Sequence, residues 1–180
     1  MQFRTSGIPE QAPPDRSWAG APLSPAMAAV VSGARRRALR DGDHHVDTAH
    51  LLHSLVESDP EVREVFDGEA RLARVLGYLV QRSIGYGLRW QGRQEGPGAQ
   101  SVVREPGGEG WSPSATAALE RAGRGAALRG RSHAGGPDLL AALVADPRCR
   151  AVEVLERAGV GAEWLAARTD DRPAAGDPPW

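Results

Sequence analysis

Lysine is absent from this chain, and several other residue types are scarce. All 22 basic residues are arginine, and the 180 residues include one cysteine, two tyrosines and two phenylalanines. A single cysteine excludes an intramolecular disulfide, which is typical of proteins kept in a reducing compartment. The absence of lysine excludes lysine-dependent chemistry, including the GxxxxGK[ST] loop that binds nucleotide phosphates.

Neither the charge nor the hydropathy of the chain points to a polyanion or a lipid. The formal net charge is -1 at pH 7, so there is no argument for a nucleic-acid or anionic-membrane partner. No stretch reaches the about 18 uninterrupted apolar residues of a membrane-spanning helix, and the N-terminus lacks the apolar segment of a signal peptide. We therefore expect a cytoplasmic protein with neither nucleic acid nor membrane among its partners.

Two stretches of the chain resemble each other without a gap. Residues 23–56 align with residues 111–144 at one fixed offset, and twelve aligned positions are identical. The identical pairs are Ser24/Ser112, Pro25/Pro113, Ala29/Ala117, Ala34/Ala122, Arg36/Arg124, Ala38/Ala126, Gly42/Gly130, His45/His133, Leu51/Leu139, Leu52/Leu140, Leu55/Leu143 and Val56/Val144. A gapless repeat of this length predicts two structurally equivalent halves.

Each half carries the sequence signals of about four helices. Ser24 and Ser112 are suitable N-caps, and the prolines that follow them suit the first helical position. Apolar residues then recur at helical spacing until a glycine ends the segment, and no segment shows the alternation of a strand. The predicted fold class is all-α, a pseudo-twofold double repeat of about four helices each.

Further helix starts are predicted inside each half. Thr48 is predicted to cap the second helix. Asp59-Pro60 and Asp146-Pro147 each combine a capping residue with a proline, and both pairs predict the start of a short helix.

Glycine and proline mark the segments that lie outside the helical body. Such compositions bury too little apolar surface to offset the loss of backbone entropy, so we expect mobile segments there. The predicted division is an arm at 1–22, repeat one at 23–90, a linker at 91–110, repeat two at 111–168 and a tail at 169–180, with 23–168 as one domain.

The sequence HVDTAHLL at residues 45–52, with the element order around it, resembles the Clp repeat domain, the N-terminal domain of Clp-type AAA+ unfoldases. GPDLL at residues 136–140 is a degraded copy. The resemblance covers residues 23–168 and implies a pseudo-twofold bundle of eight helices that performs no chemistry and needs no cofactor. Because the chain lacks a phosphate loop, we expect a stand-alone domain without the ATPase modules.

The resemblance implies binding functions. Family members receive adaptors and degron-bearing substrates and, in some cases, phosphorylated arginine or cyclic-peptide antibiotics. The expected function is therefore that of an adaptor or decoy in Clp-dependent proteolysis, with Clp-system proteins (unfoldase, adaptors or substrates) as partners. The alternative is a protein that sequesters cyclic-peptide toxins directed at the unfoldase. Nothing in the sequence positively supports a third class, an enzyme on a helical scaffold.

The resemblance also suggests a ligand-binding surface. The family carries an aromatic residue just before the cap of each long helix, and here Trp111 holds that place in repeat two and Leu23 in repeat one. Glu120 matches an acidic position on the same face, and Met27 joins the set because methionine is common at peptide-binding surfaces. Alternatively, Trp111 folds onto its own helix as a hydrophobic staple.

Two other ligands are not expected. In members that bind phosphoarginine, an acidic residue of the signature helps to hold the guanidinium, whereas Ala49 and Pro137 stand at those positions here. Losing such a charge-assisted hydrogen bond costs roughly 1.5–3 kcal/mol. The four histidines between residues 44 and 53 match no zinc-binding spacing, so we expect no metal site.

Overall fold

The computed structural model describes residues 20–83 and 110–170, and within them it contains eight helices and one pair of short strands. The elements are α1 (Pro25–Asp41), β1 (His45–Val46), α2 (Thr48–Ser58), α3 (Pro60–Val65), α4 (Glu69–Gln81), β2 (Gly110–Trp111), α5 (Pro113–Leu128), α6 (Gly136–Val144), α7 (Arg150–Arg157) and α8 (Ala162–Asp170). The predicted all-α class is confirmed. The expected mobility of the arm, linker and tail concerns segments that lie mainly outside the described residues.

Packed residues extend slightly beyond residues 23–168 at both ends. The side chain of Ala21 is buried, and its N–H donates to the carbonyl oxygen of Gly123 over 3.0 Å. At the other end α8 continues to Asp170, and Thr169 is buried. The predicted arm and tail therefore each contribute a few residues to the packed structure.

The two long helices begin and end in the same way. The side-chain oxygens of Ser24 and Ser112 each accept a hydrogen bond from the backbone N–H three residues on, at 3.2 and 3.1 Å. Gly42 and Gly130 follow the helices with φ angles of 73° and 70°, in the left-handed region that glycine adopts at no steric cost. The predicted starts and stops of α1 and α5 are confirmed.

The N-cap of α2 is Asp47, so the prediction of Thr48 was wrong by one residue. The backbone of Asp47 is extended, and its Oδ1 accepts a hydrogen bond from the N–H of His50 at 3.0 Å. The imidazole of His50 reaches back to the backbone N–H of Asp47 over 3.1 Å. This reciprocal pair resembles a capping box, and it leaves the hydroxyl of Thr48 available for another contact.

Helix α7 begins at Arg150, later than the Asp146-Pro147 pair predicted. Asp146 instead closes a turn, since its carbonyl oxygen accepts from the N–H of Cys149 at 3.1 Å. Its side chain accepts from the N–H of Arg148, also at 3.1 Å. Because Asp146 satisfies the backbone groups of this turn, the helix begins about four residues later in the chain than predicted.

Backbone pairing joins the two halves at two equivalent places. In the parallel strands β1 and β2, Val46 lies opposite Trp111, while an isolated bridge places Leu23 opposite Ala134. The repeat alignment matches Leu23 with Trp111 and Val46 with Ala134, so each half uses the segment before its long helix to pair with the other half. These contacts support the pseudo-twofold relation, which stays a prediction. Strands of two residues are too short to leave an alternating pattern in the sequence.

A single core runs through the described body. Helix α1 packs on α2 and α5 packs on α6, and α2 and α6 also contact each other. The largest fully buried side chains are Phe66, Met27, Leu51, Leu52, Leu55, Leu79, Leu119, Leu139, Leu140, Leu143, Leu155 and Leu165. None of the described helices has the length and apolar character needed to cross a bilayer.

Candidate functional site

The predicted site residues lie around two contacts between the first half and the second. Near the middle of α1, the guanidinium of Arg35 lies 5.4 Å from the centre of the ring of Trp111, which stands just before α5. The middle of α5 meets the segment before α1 through the hydrogen bond between Ala21 and Gly123. We call the surface formed by Leu23, Arg35, Trp111 and Glu120 the α1–α5 face.

The backbone fixes the position of Trp111. Its strand pairs with β1, and the next residue, Ser112, donates its N–H to the carbonyl oxygen of Val46 over 2.9 Å. The side chain is partly buried against the core, and the guanidinium of Arg35 lies over its ring at a cation–π distance. Trp111 therefore has the partial exposure of an aromatic anchor, and it also packs on the protein's own residues, as a staple would.

Leu23 occupies the equivalent place at the start of α1. Its neighbour Ser24 donates its N–H to the carbonyl oxygen of Ala134 over 3.1 Å, and Ala134 in turn donates to the carbonyl oxygen of Pro22 over 2.8 Å. The Leu23 side chain is partly buried against the core. Both predicted apolar positions are thus held by backbone pairing with the opposite half.

Leu23 and Trp111 lie toward opposite ends of the α1–α5 face. Trp111 lies against Arg35, which is twelve residues along the chain from Leu23, and such a length of helix rises about 18 Å. An extended peptide gains about 3.3 Å per residue. A ligand that touches both side chains therefore needs roughly five residues in extended form.

Glu120 lies half-exposed on α5. Its carboxylate lies 3.8 Å from the guanidinium of Arg124, one turn further along the helix. Among the described contacts Glu120 pairs with Arg124 rather than with Trp111. Exposed pairs of this kind contribute less than about 1 kcal/mol, so a partner can displace Arg124 at low cost.

Met27 belongs to the core and not to the surface. Its side chain has no exposed area, and it lies on the inward stripe of α1 with Val30, Ala34 and Ala38. These positions follow helical spacing, so the periodicity that predicted the helix also predicts that Met27 points inward. We correct the sequence prediction and exclude Met27 from the candidate ligand contacts.

The arginine run on α1 has three different environments. Arg36 is exposed, as expected for a solvated helix face. Arg35 covers Trp111, and Arg37 forms an ion pair with Glu57 and lies 3.3 Å from Nε2 of His53. Only one of the three arginines is therefore a simple surface charge.

A buried charged cluster surrounds the start of α2, and sequence reasoning did not find it. The Asp47 carboxylate is almost fully buried, and its Oδ2 pairs with the guanidinium of Arg82 and, at 2.6 Å, with that of Arg150. His50 lies between two carboxylates, with Nδ1 3.0 Å from Asp47 and Nε2 3.1 Å from Asp43. The only sequence signal was an aspartate three residues before a histidine, at the spacing of a capping box.

The cluster shifts the pKa values of its members in opposite directions. Burial alone would raise the pKa of Asp47, but the hydrogen bond with His50 and the charges of Arg82 and Arg150 outweigh burial and lower it. Burial alone would lower the pKa of His50, but the bonds to Asp43 and Asp47 raise it. The pKa of Asp43 is lowered, first by its hydrogen bond with His50. These shifts favour ionised carboxylates and the charged form of the imidazole. In the charged form Nδ1–H donates to Oδ1 of Asp47, whereas the neutral ring accepts the N–H of Asp47 at Nδ1.

The same cluster contains three side chains that could ligate a metal ion. Ligand atoms of Asp43, Asp47 and His50 lie within 4.8 Å of one another. However, Asp47 already binds two guanidiniums, Arg82 and Arg150, and a cation would have to displace them. The donor set is accounted for by an ion-pair network, and we propose no metal there.

The second half has the opposite arrangement of charge at the aligned positions. There Asp138 is the buried carboxylate, with guanidiniums of Arg129 and Arg131 at 3.0 and 3.1 Å. The repeat alignment matches Asp138 with His50, and Arg131 with Asp43. Each half thus pairs its second helix with the loop before it, but the signs of the charges are exchanged.

Comparison with known proteins supports the fold. No family model matches the chain, and no curated protein sequence matches it. A chain solved in structural investigations of a malarial protein secretion system is similar at a TM-score of 0.58 and 17% identity, covering 82% of this chain and 92% of that one. The N-terminal domain of the caseinolytic protease associated chaperone ClpD from Arabidopsis thaliana is similar at a TM-score of 0.56 and 15% identity, covering 82% of this chain and 91% of that one. At these identities the likeness establishes a Clp N-terminal-like fold.

Proposed function

We propose that this protein is a non-catalytic protein-binding module that acts as an adaptor or a decoy in Clp-dependent proteolysis. The observation that supports the proposal is the likeness of the described body to the N-terminal domain of ClpD, a chaperone associated with the caseinolytic protease. The match covers nine-tenths of that domain, so it concerns the complete architecture and not one shared motif.

The α1–α5 face is the proposed contact surface. Trp111 is partly exposed and held by backbone pairing, and rigid aromatic side chains of this kind are common energetic centres of interfaces. Arg35 adds a guanidinium above the ring, and Leu23 adds an apolar position at the far end. The partners are Clp-system proteins, either the unfoldase itself or the adaptors and substrates that it receives.

Reconstituted proteolysis tests this function. The protein is added in increasing amounts to a Clp-type unfoldase with its peptidase and an unfolded fluorescent substrate, and the degradation rate is measured. An adaptor accelerates degradation and a decoy slows it, and either effect disappears with an unfoldase that lacks its own N-terminal domain. A folded protein that neither binds any component nor changes the rate at excess concentration would contradict the proposal.

Trp111→Ala tests the surface, and Trp164→Ala is its matched control. Trp164 is also partly buried, but it lies on α8 between the guanidiniums of Arg71 and Arg168. We expect Trp111→Ala to weaken partner binding by about 2 kcal/mol, which is roughly 30-fold, and to lower the melting temperature no more than the control does. If stability collapses while the residual folded protein binds normally, Trp111 is a hydrophobic staple and the surface assignment is wrong.

Sequestration of a cyclic-peptide toxin is the alternative function. Its support is the sequence resemblance together with the partly exposed Trp111. Titration of the purified protein with a cyclic peptide that inhibits a Clp unfoldase separates the alternatives. Tight binding of the peptide, with no effect of the protein on toxin-free degradation, supports sequestration; an effect on toxin-free degradation supports the adaptor or decoy.

A further inference from the structure

The two halves of the chain meet at two equivalent helix-end contacts. The start of α2 in the first half packs against the start of α7 in the second, and the start of α6 in the second half packs against the start of α3 in the first. The repeat alignment matches α2 with α6, and helix order matches α3 with α7. The two contacts thus occupy equivalent places, but their residues differ.

The α2–α7 contact is polar and charged. The hydroxyl oxygen of Thr48 accepts a hydrogen bond from the backbone N–H of Ala151 at 3.0 Å. Beside it, the buried carboxylate of Asp47 pairs with the guanidinium of Arg150 at 2.6 Å. Thr48 and Asp47 therefore satisfy one backbone donor and one cation at the start of α7.

The α6–α3 contact has room for a glycine only. Gly136 is the residue aligned with Thr48, and a Cβ atom built on it would lie 1.9 Å from Oδ2 of Asp59 and 2.9 Å from Cγ2 of Val62. Asp59 is the N-cap of α3 and is itself buried, with Oδ1 accepting from the N–H of Val62 at 3.1 Å. No side chain larger than hydrogen fits here unless the capping side chain of Asp59, with Val62 beside it, moves or the two helices separate.

We propose that these two contacts form a pairing code that makes each half of the chain fit the other half and not a second copy of itself. If a first half met another first half, Thr48 would occupy the space that only glycine fits, and Asp47 would face Asp59. Asp47 would keep Arg82 of its own half but lose Arg150, and burying a second carboxylate beside it destabilises the interface. If a second half met another second half, Arg150 would face Gly135 and lose its carboxylate.

Two further contacts between the halves do not discriminate. Arg74 of α4 donates to the carbonyl oxygen of Ala158 at 3.0 Å, and Arg168 of α8 donates to that of Val65 at 2.8 Å. Both are arginines reaching the end of the opposite short helix, so a like-with-like pair would keep them. These two contacts therefore add nothing to the selection made at the helix starts.

Reassembly of the cut chain tests the code. A protease site is inserted between residues 96 and 97 of the full chain, the folded protein is cut, and the mixture is denatured, refolded and measured by native mass spectrometry. We expect pairs of unlike halves to exceed like pairs by about tenfold or more, the ratio that a difference of 1.4 kcal/mol produces. Like pairs at the share given by random association would overturn the proposal.

Substitutions in the uncut chain test the same code where reassembly is inefficient. Gly136→Thr installs the residue of the first half, and we expect it to lower the melting temperature by about 10 °C or more. Gly77→Ala is the matched control, because a Cβ there meets nothing within 4 Å, and we expect no loss. A Gly136→Thr variant with the melting temperature of the control would contradict the steric part of the proposal, the α6–α3 contact.

A double-mutant cycle between Asp47→Asn and Arg150→Met tests the charged part of the proposal, the α2–α7 contact. We expect each single change to lower the melting temperature, and the double variant to lose clearly less than the sum of the two, because each removes the partner of the other. Strictly additive losses would show that the two side chains are not coupled and would refute the role of this ion pair in the proposal.

Discussion

His50 is a buried titratable residue through which pH acts on the stability of this fold. Its imidazole is almost fully buried between the carboxylates of Asp43 and Asp47, and the guanidiniums of Arg82 and Arg150 neutralise the rest of the charge. Asp41 lies further away, at 3.9 Å from Nε2. The cluster thus depends on a proton that is held in the folded state and released more readily in the unfolded chain.

We predict that the stabilisation due to His50 is lost at alkaline pH. The pKa of His50 is raised in the folded protein, so its contribution is fully present below the unfolded value of 6.5 and is lost as pH rises through the folded pKa. Urea unfolding of the wild type and His50→Gln between pH 6 and 9 measures the difference in unfolding free energy. That difference should shrink as pH rises, and a difference that grows with pH would contradict the assignment; His133→Gln, at an exposed histidine, is the control.

His53 has the opposite pH dependence. Burial and, next in size, the neighbouring charge of Arg37 lower its pKa to about 4, although Glu57 accepts a hydrogen bond from the ring at 3.0 Å. With the folded pKa depressed below 6.5, its contribution is present above pH 6.5 and is lost as pH falls toward 4. As pH falls from 7 toward 4, the unfolding free energy of the wild type should drop. We predict that this drop is about 2 kcal/mol smaller in His53→Gln. The control is His44→Gln, at an exposed histidine, whose unfolding free energy should follow that of the wild type at every pH. If the unfolding free energy of His53→Gln falls below pH 6.5 as much as that of the wild type, the prediction is refuted.

At the scale of elements, the two halves are most alike at the N-termini of their long helices. Ser24 and Ser112 cap the two long helices with nearly equal hydrogen bonds, and both are followed by proline at the first helical position. The starts of α2 and α6 differ, since Asp47 supplies a side-chain cap whereas Gly135 donates its N–H to the carboxylate of Asp138 over 2.9 Å. Similar backbone geometry is thus obtained from different side chains.

We predict that Ser24→Ala and Ser112→Ala each lower the unfolding free energy by about 1 kcal/mol, the usual cost of an N-cap serine. The two caps lie on different helices without a shared partner, so the double variant should lose the sum of the two within about 0.5 kcal/mol. Chemical unfolding of the two single variants and the double variant measures these losses. A loss at one cap only would mean that the two long helices are not stabilised in the same way; Ser132→Ala, at an exposed serine, is the control.

On the scale of the whole molecule, the halves share one core and have no separate interiors. Helix α6 of the second half contacts both α2 and α3 of the first, and α7 contacts α2 and α4. Buried residues of both halves belong to one hydrophobic cluster. Neither half can therefore lose its packing without exposing apolar surface of the other.

We predict that the protein unfolds in a single cooperative transition. Calorimetric and van't Hoff enthalpies should agree, and near-ultraviolet and far-ultraviolet circular dichroism should give coincident curves. The physical reason is the shared core, together with the Asp47–Arg150 pair that joins the halves. Two resolved transitions, one for each half, would show that the interface is weaker than the contacts described above imply.

Local signals in the sequence determined the secondary structure and the repeat. Ser-Pro pairs, the glycines that end the long helices and the spacing of apolar residues act within one or two helical turns, and a single sequence records them. These signals placed α1 and α5 correctly. The same spacing of apolar residues places Met27 on the inward face of α1, yet the prediction assigned it to the binding surface. Where two local signals competed, as at Asp47 against Thr48, the prediction missed by one residue.

Only the tertiary structure decided which side chains meet. Asp47 and Arg150 are far apart in the chain, as are Gly136 and Asp59, and no periodicity links their positions. The environment of Trp111 likewise depends on how the two halves pack, which brings Arg35 of α1 over its ring. Helix propensity, capping and amphipathic spacing are properties of neighbouring residues, so this sequence determined its helices and its internal repeat. Ion pairs, steric fit and shared burial depend on the three-dimensional path between elements, so the joining of the halves and the make-up of the α1–α5 face were decided by the fold.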